Sequence, residues 1–171
     1  MKKLNTIILI ILTILAVGCG GATYKPPVQY TVQKDVTIYK PFDAVWQSAV
    51  EWFATHNTPI KNIDKSSGLI STEYSLSVTE AAKYMDCGNA SQGFTNKTEI
   101  SNRIGNFNVL IKKIDDGSTK VSVNVFFSCL VNEYTQGLLE TSWTFKSSTK
   151  VDCVSTGGLE KVIIEYLAKT N

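Results

Sequence analysis

The chain has 171 residues, of which 43% are hydrophobic, and its 17 basic residues are nearly balanced by 15 acidic ones. This apolar content is enough for the core of one domain and argues against wholesale disorder. Basic residues are neither in large excess nor clustered, so the composition also argues against a protein that binds nucleic acid.

An apolar run at the N-terminus has the organisation of a secretory signal peptide. Lys2 and Lys3 precede the apolar stretch 4–17, and small residues lead from it to Cys19. We interpret residues 1–18 as a signal peptide that is removed from the mature protein. The alternative is an uncleaved membrane anchor. The run is short for that purpose, because spanning about 30 Å of hydrocarbon takes about 20 residues.

The end of this run, Leu-Ala-Val-Gly-Cys at 15–19, resembles a bacterial lipobox. The resemblance implies that the thiol of Cys19 receives a diacylglycerol, that cleavage makes Cys19 the N-terminus, and that the lipid anchors the protein in a membrane. Gly20 follows the cysteine, in place of the aspartate that resembles an inner-membrane retention signal. In a cell with two membranes we therefore expect the outer one, with the domain facing the periplasm or the cell surface.

The mature chain divides into a tether and one domain. Residues 19–33 are small, polar and proline-containing, which predicts a lipidated N-terminus followed by a flexible tether. Residues 34–171 contain both helical and strand-like patterns and are predicted to form a single α+β domain.

The first half of this domain is predicted to begin with an amphipathic helix. Pro41 suits the first turn of a helix, and the residues after it place an apolar stripe on one face: Phe42, Val45, Trp46, Ala49 and Phe53. The helix should end near His56, shortly before Pro59. The following patterns predict strands at 60–64 and 69–76, a short helical turn at 79–84 and a loop at 86–93.

The second half is predicted to contain a β-hairpin and a final helix. Two β-rich runs, 107–114 and 120–131, flank an Asp-Gly turn at 115–118, which is a strong hairpin signal. Further strands are predicted at 138–145 and 149–154. The last helix is predicted to begin near Leu159, with Ser155 or Thr156 as its cap.

Three cysteines remain once Cys19 is lipidated, and an oxidising compartment allows one disulfide among them. The sequence leaves three pairings open. We favour Cys87–Cys153, because both residues lie in loops or at element ends, whereas Cys129 points inward from a strand and suits a buried thiol. The absence of a C-x-x-C motif argues against redox catalysis and against zinc, so no metal and no cofactor are predicted.

No catalytic constellation is recognisable, so the chain is not predicted to be an enzyme. His56 is the only histidine, and it is better explained by the end of a helix than by acid–base catalysis. Asp115 and Asp116 suit a solvated turn better than a calcium site. The glycines that follow Thr156 suit a helix cap better than an anion cradle.

The order of elements resembles that of a helix-grip fold, in which a curved antiparallel sheet packs against an N-terminal and a C-terminal helix. The segment Pro41–Trp46 is similar to the P-x-D/E-x-V-W first helix of such domains. Together with the lipobox and the segments 63–70 and 153–160, it makes the chain similar to small bacterial lipoproteins akin to the BamC lipoproteins of outer-membrane barrel assembly. That family has two such domains, whereas this chain has room for one, and it contributes no catalytic residues.

These observations favour a non-enzymatic lipoprotein of the cell envelope that binds another envelope protein or supports assembly at the membrane. The alternative is a carrier or sensor of a lipid or small apolar ligand, held in a cavity between the sheet and the last helix. Five aromatic residues could line such a cavity: Trp46, Trp52, Phe127, Trp143 and Tyr166.

Overall fold

The computed structural model describes residues 21–75 and 78–169. The predicted signal peptide at 1–18 and the predicted lipidation site, Cys19, lie outside the described residues. The helices and strands follow in the order β1 (Asp35–Ile38), α1 (Phe42–Thr55), β2 (Ile60–Asp64), β3 (Leu69–Ser75), α2 (Val78–Tyr84), β4 (Met85–Asp86), β5 (Asn96–Lys113), β6 (Thr119–Thr135), β7 (Thr144–Ser155) and α3 (Gly158–Lys169).

The strands form one seven-stranded antiparallel sheet, so the predicted α+β class is confirmed. The sheet order is β2-β3-β5-β6-β7-β4. The short strand β1 pairs with the first residues of β6, while β7 pairs with the later residues of that strand. The two longest strands, β5 and β6, are neighbours throughout and are joined by the predicted turn at 115–118.

The helices α1 and α3 pack against each other and against β5 and β6. The apolar stripe predicted for α1 faces the sheet, where Phe53 stacks on Phe107 of β5 with ring centroids 5.5 Å apart. Trp52 meets the same ring edge-on at 5.9 Å. From β6, Val121 and Val123 are fully buried in this core. The inward face of this part of β6 therefore lies beneath the two helices.

Strand β5 is longer than the sequence indicated, because it begins at Asn96 and not near Phe107. Its first half is polar, and an irregularity between Ser101 and Ile104 interrupts the alternation. Asn102 has a φ of 47° at this point. A bulge of this kind shifts the side chains by one position, which conceals the strand from a search for regular alternation.

The strand predicted at 138–145 is wrong in its first part. Residues Gly137–Glu140 form a turn, in which the Glu140 N–H donates to the Gly137 carbonyl oxygen at 3.1 Å. Leu138 and Leu139 occupy the two central positions of the turn and are 75% and 99% exposed. Strand β7 begins only at Thr144 and includes the predicted strand at 149–154, and its pairing with β6 shifts register between Glu133 and Tyr134.

Candidate functional site

The three cysteines lie together at the end of β7. Cys87 and Cys153 form a disulfide, which is the pairing favoured from the sequence. Cys129 on β6 is a free, fully buried thiol. The three sulfur atoms all lie within 4.8 Å of one another. Because the disulfide occupies two of them, this cluster offers a single thiol and joins β7 to the loop before β5.

Burial raises the pKa of the Cys129 thiol, and Arg103 opposes this rise only in part. A raised pKa keeps the thiol protonated at neutral pH, and the thiolate is the form that attacks disulfides. The Cys129 sulfur can therefore lie beside the Cys87–Cys153 bond without rapid exchange. In this state the disulfide joins the end of β7 to the loop before β5, and the buried thiol lies beside it.

The residues after Gly21, which belong to the flexible tether predicted at 19–33, run along the domain. The Ala22 N–H donates to Asn96 Oδ1 at 2.7 Å, and the Thr23 N–H donates to Ser91 Oγ at 2.8 Å. Lys25 and Asn89 exchange two backbone hydrogen bonds of 2.9 Å each. This segment is consequently fixed to the loop that precedes β5.

Glycine at position 88 makes this close approach possible. Gly88 has a φ of +77°, and a Cβ atom placed there would lie 2.0 Å from the carbonyl oxygen of Lys25. No L side chain fits in that space without moving the backbone. The Tyr24 hydroxyl completes the contact by donating to the Cys87 carbonyl oxygen at 2.8 Å. The path of the N-terminal segment is thus tied to the disulfide.

A gap interrupts the pairing along one edge of β6. Residues Thr119–Ser122 pair with β1, and pairing with β7 begins at Phe127. Between them, the Val123 N–H donates to the Lys34 carbonyl oxygen at 2.8 Å. Within the described part of the chain, no strand pairs with Asn124–Phe126 along this edge. About 10 Å of strand edge is therefore left open.

A groove of about 600 Å³ lies at this gap. The segment from Pro26 to Lys34 lines one part of it, the end of β7 from Asp152 to Ser155 lines another, and Val125 from β6 also contributes. Its lining combines prolines, an aromatic ring at Tyr30 and one charge of each sign. Such a groove suits an extended peptide. The main chain of the peptide could hydrogen-bond to the open edge of β6, and every second side chain of the peptide could lie in the groove.

The five aromatic residues predicted to line a ligand cavity are not brought together. Trp46, Trp52 and Phe127 are packed in the core and are at most 8% exposed. Trp143 lies at the far end of the sheet, where the Lys97 Nζ is 5.2 Å from its ring centroid. Tyr166 meets His56 edge-on, with ring centroids 5.8 Å apart.

The residues that the sequence analysis weighed for catalysis or ion binding have structural contacts. His56 caps the end of α1, with its Nδ1 2.8 Å from the Trp52 carbonyl oxygen. Asp115 accepts the Gly117 N–H at 2.8 Å within the hairpin turn. Ser155 Oγ accepts the Gly157 N–H at 3.0 Å and Thr156 Oγ1 accepts the Gly158 N–H at 3.4 Å, so both residues predicted as the cap bond backbone N–H groups where α3 begins.

Glu160, in the first turn of α3, has a fully buried carboxyl group. Its Oε2 accepts the Ser155 hydroxyl at 2.8 Å, and the side chain is 0% exposed. Its Oε1 has no hydrogen-bond partner among the described residues. The Ser155 hydroxyl and the positive end of the α3 dipole both favour a negative charge at this position, and they account for the one carboxylate oxygen that is bonded.

No helix within 21–75 and 78–169 is long and apolar enough to cross a membrane. Comparisons with protein-family models, with curated proteins and with solved structures gave no match to this chain. The groove at the gap in the sheet is the surface that sequence reasoning missed. The groove arises because β1 and β7, which are far apart in the sequence, both pair with β6. Local sequence patterns do not predict such long-range pairing.

Proposed function

We propose that this chain is a non-enzymatic lipoprotein of a bacterial envelope, anchored through Cys19, whose domain binds an extended segment of another envelope protein. The observation that supports binding is the groove of about 600 Å³ at the open edge of β6. An added strand could pair with the free backbone at Val125, and the segment from Pro26 to Lys34 would hold it in place.

We also propose a helix-grip arrangement akin to that of BamC-like lipoproteins, and an outer-membrane location. The order of β1, α1, an antiparallel sheet and a C-terminal helix supports the fold proposal. The packing of α3 on α1 and on β6 agrees with it. The location rests on the lipobox and on Gly20.

Binding is tested by photocrosslinking in intact cells. A photoreactive amino acid replaces Gln29, which lines the groove, or Gln47, which is exposed on α1 and serves as the matched control. We expect a discrete adduct with one envelope protein from position 29 alone, with the crosslinked peptide located by mass spectrometry. Equal adducts from both positions, or none from position 29, would contradict the proposed binding site.

The anchor is tested separately by mass spectrometry of the N-terminus. We expect a diacylglycerol on Cys19 and the loss of residues 1–18, with accumulation of the uncleaved form when a globomycin-type inhibitor blocks the signal peptidase. The variant Cys19→Ser should be neither acylated nor retained in the membrane through a lipid. An unmodified, uncleaved Cys19 in membranes would favour the alternative of an apolar anchor.

A further inference from the structure

The long strands β5, β6 and β7 extend beyond the helices to one end of the molecule, which we call the distal end. Two tips meet there. One is the turn Gly137–Glu140 between β6 and β7, and the other is the bend around Phe94 before β5. The Gln136 N–H donates to the Thr95 carbonyl oxygen at 2.8 Å, which places the two tips side by side.

Both tips present large apolar side chains to solvent. Leu138 and Leu139 are 75% and 99% exposed at the centre of their turn, and Phe94 is 78% exposed. Central turn positions favour glycine, proline, asparagine, aspartate or serine, so two leucines there need another explanation than the turn itself. The turn is ordered, because the Gly137 N–H also donates to Glu140 Oε2 at 3.2 Å. The leucines are therefore held outward.

Behind the apolar tips lies a layer of aromatic and basic side chains. Lys97 Nζ is 4.8 Å from the ring centroid of Tyr134 and 5.2 Å from that of Trp143. Phe145 packs against Tyr134 with centroids 5.8 Å apart. Tryptophan, tyrosine and lysine are the residues that favour the boundary between hydrocarbon and water. The distal end thus has an apolar tip followed by an interfacial layer.

The N-terminal segment arrives at this same end. The Ala22 N–H is hydrogen-bonded to Asn96 Oδ1 at 2.7 Å, and Asn96 pairs with Thr135, just before the leucine turn. Two residues lie between Cys19 and Ala22, and the three Cα-to-Cα steps that join them span at most about 11 Å. A lipid on Cys19 would therefore hold the distal end, and not another face, against the bilayer.

We propose that the distal end docks on the bilayer, with Leu138, Leu139 and Phe94 inserted among the lipids beside the acylated Cys19. This inference rests on the proposed lipid anchor and names the surface that faces the membrane. The two acyl chains of a diacylglycerol already give stable attachment, so the apolar contact at the distal end sets the orientation of the domain on the bilayer. Docking at this end also directs the opposite end, with the turn at 115–118, away from the membrane.

Docking is tested with the full acylated chain in vesicles of phosphatidylethanolamine and phosphatidylglycerol whose acyl chains carry bromine, which quenches tryptophan fluorescence. Leu139→Trp places the probe at the distal end. Tyr39→Trp is the matched control, because Tyr39 is 86% exposed and follows β1, which pairs with the opposite end of β6. The 17 residues of β6 separate the two ends by roughly 55 Å.

The signal of each probe is the tryptophan fluorescence of the variant minus that of the unaltered chain. We expect brominated lipid to reduce this signal about twofold or more for Leu139→Trp and to leave it unchanged for Tyr39→Trp. Equal quenching of both probes, or no quenching of Leu139→Trp, would overturn the docking. Self-association through the leucine turn, shown by sedimentation and abolished by Leu138→Ser with Leu139→Ser, would also overturn it in favour of a second copy of this chain.

The two proposals fail in different ways. An acylated Cys19 together with an unquenched Leu139→Trp overturns the docking and leaves the lipid anchor standing. A Cys19 without lipid overturns the anchor, and quenching is then measured on the chain that remains bound to vesicles. In that case, selective quenching of Leu139→Trp supports the docking surface by itself, and absence of binding overturns it.

Discussion

The two halves of the β5–β6 pair differ in how they are covered. In the half next to the turn at 115–118, Phe107, Val109 and Ile111 are at most 1% exposed beneath the helices α1 and α3. In the distal half, the strand ends are lined mainly by polar side chains, and the apolar residues of the adjoining tips face solvent. The same pair of strands therefore serves as a core at one end and as a surface at the other.

This difference shows where stability and recognition are located. Burial of apolar area beneath the helices provides the main favourable free energy of folding. The distal half depends on pairing with β7, which the Cys87–Cys153 disulfide joins to the segment before β5. Its exposed leucines contribute little to folding and are available for a membrane or a partner.

The largest expected effect is the loss of stability when a buried ring of the covered half is removed, compared with the loss when an exposed ring on the other face of the sheet is removed. Phe107→Ala should lower the free energy of unfolding by about 3–5 kcal/mol, because it leaves a cavity against Trp52 and Phe53. The matched change is Phe126→Ala, on the neighbouring strand with a ring that is 59% exposed. It should cost less than about 1 kcal/mol. Chemical denaturation monitored by circular dichroism measures both, and equal losses would contradict the assigned core.

The next largest expected effect is the loss of stability when the Cys87–Cys153 disulfide is removed. Replacing both Cys87 and Cys153 by alanine opens a loop with a sequence separation of 66. In the chain-entropy account, the unfolded state then gains freedom equivalent to about 4 kcal/mol. A fall in the unfolding free energy toward that value is expected from denaturation under oxidising conditions. As the control, a reducing agent should destabilise the unaltered chain and leave the double variant unchanged.

A smaller effect tests what fixes the N-terminal segment to the domain. Gly88→Ala should cost about 1–2 kcal/mol, because alanine is strained at a positive φ and its Cβ would strike the Lys25 carbonyl oxygen. Hydrogen exchange at Lys25 and Asn89 should become faster as their paired bonds open. Gly117→Ala is the control, since a Cβ there meets no atom closer than 3.8 Å. Unchanged exchange in Gly88→Ala would show that the segment is held by other contacts.

The sequence predicted the covered half better than the distal half, for physical reasons. The helix stripe of α1 and the alternation along β6 both reflect burial, which is periodic and therefore visible in the sequence. The bulge at Asn102 breaks that period, so the first half of β5 was missed. The prediction of a strand at 138–145 includes Leu138 and Leu139, and nothing local in the sequence shows that these two side chains remain uncovered.

The candidate surfaces were predicted unevenly for the same reason. The pairing Cys87–Cys153 was favoured from local positions, because both residues lie in loops or at element ends and Cys129 points inward from a strand. The groove depends on the meeting of the segment before β1 with the end of β7 at β6, and this tertiary arrangement has no periodic signal. The distal surface likewise depends on the hydrogen bond between Gln136 and Thr95, which brings two distant tips together.

The smallest predicted effect is a dependence of thermal stability on pH, which arises at the turn between β2 and β3. Hydrogen bonds from Ser66 and Ser67 lower the pKa of Asp64 to about 2. Because the folded-state pKa lies below the unfolded value of about 3.9, this contribution is complete only above about pH 5 and is lost progressively as the pH falls through the folded-state pKa. Asp64→Asn should therefore flatten the decline of thermal stability between pH 4 and pH 2, relative to the unaltered chain. Asp152→Asn, at an exposed position on β7, is the control, and an equal change in both variants would contradict the role of the Asp64 turn.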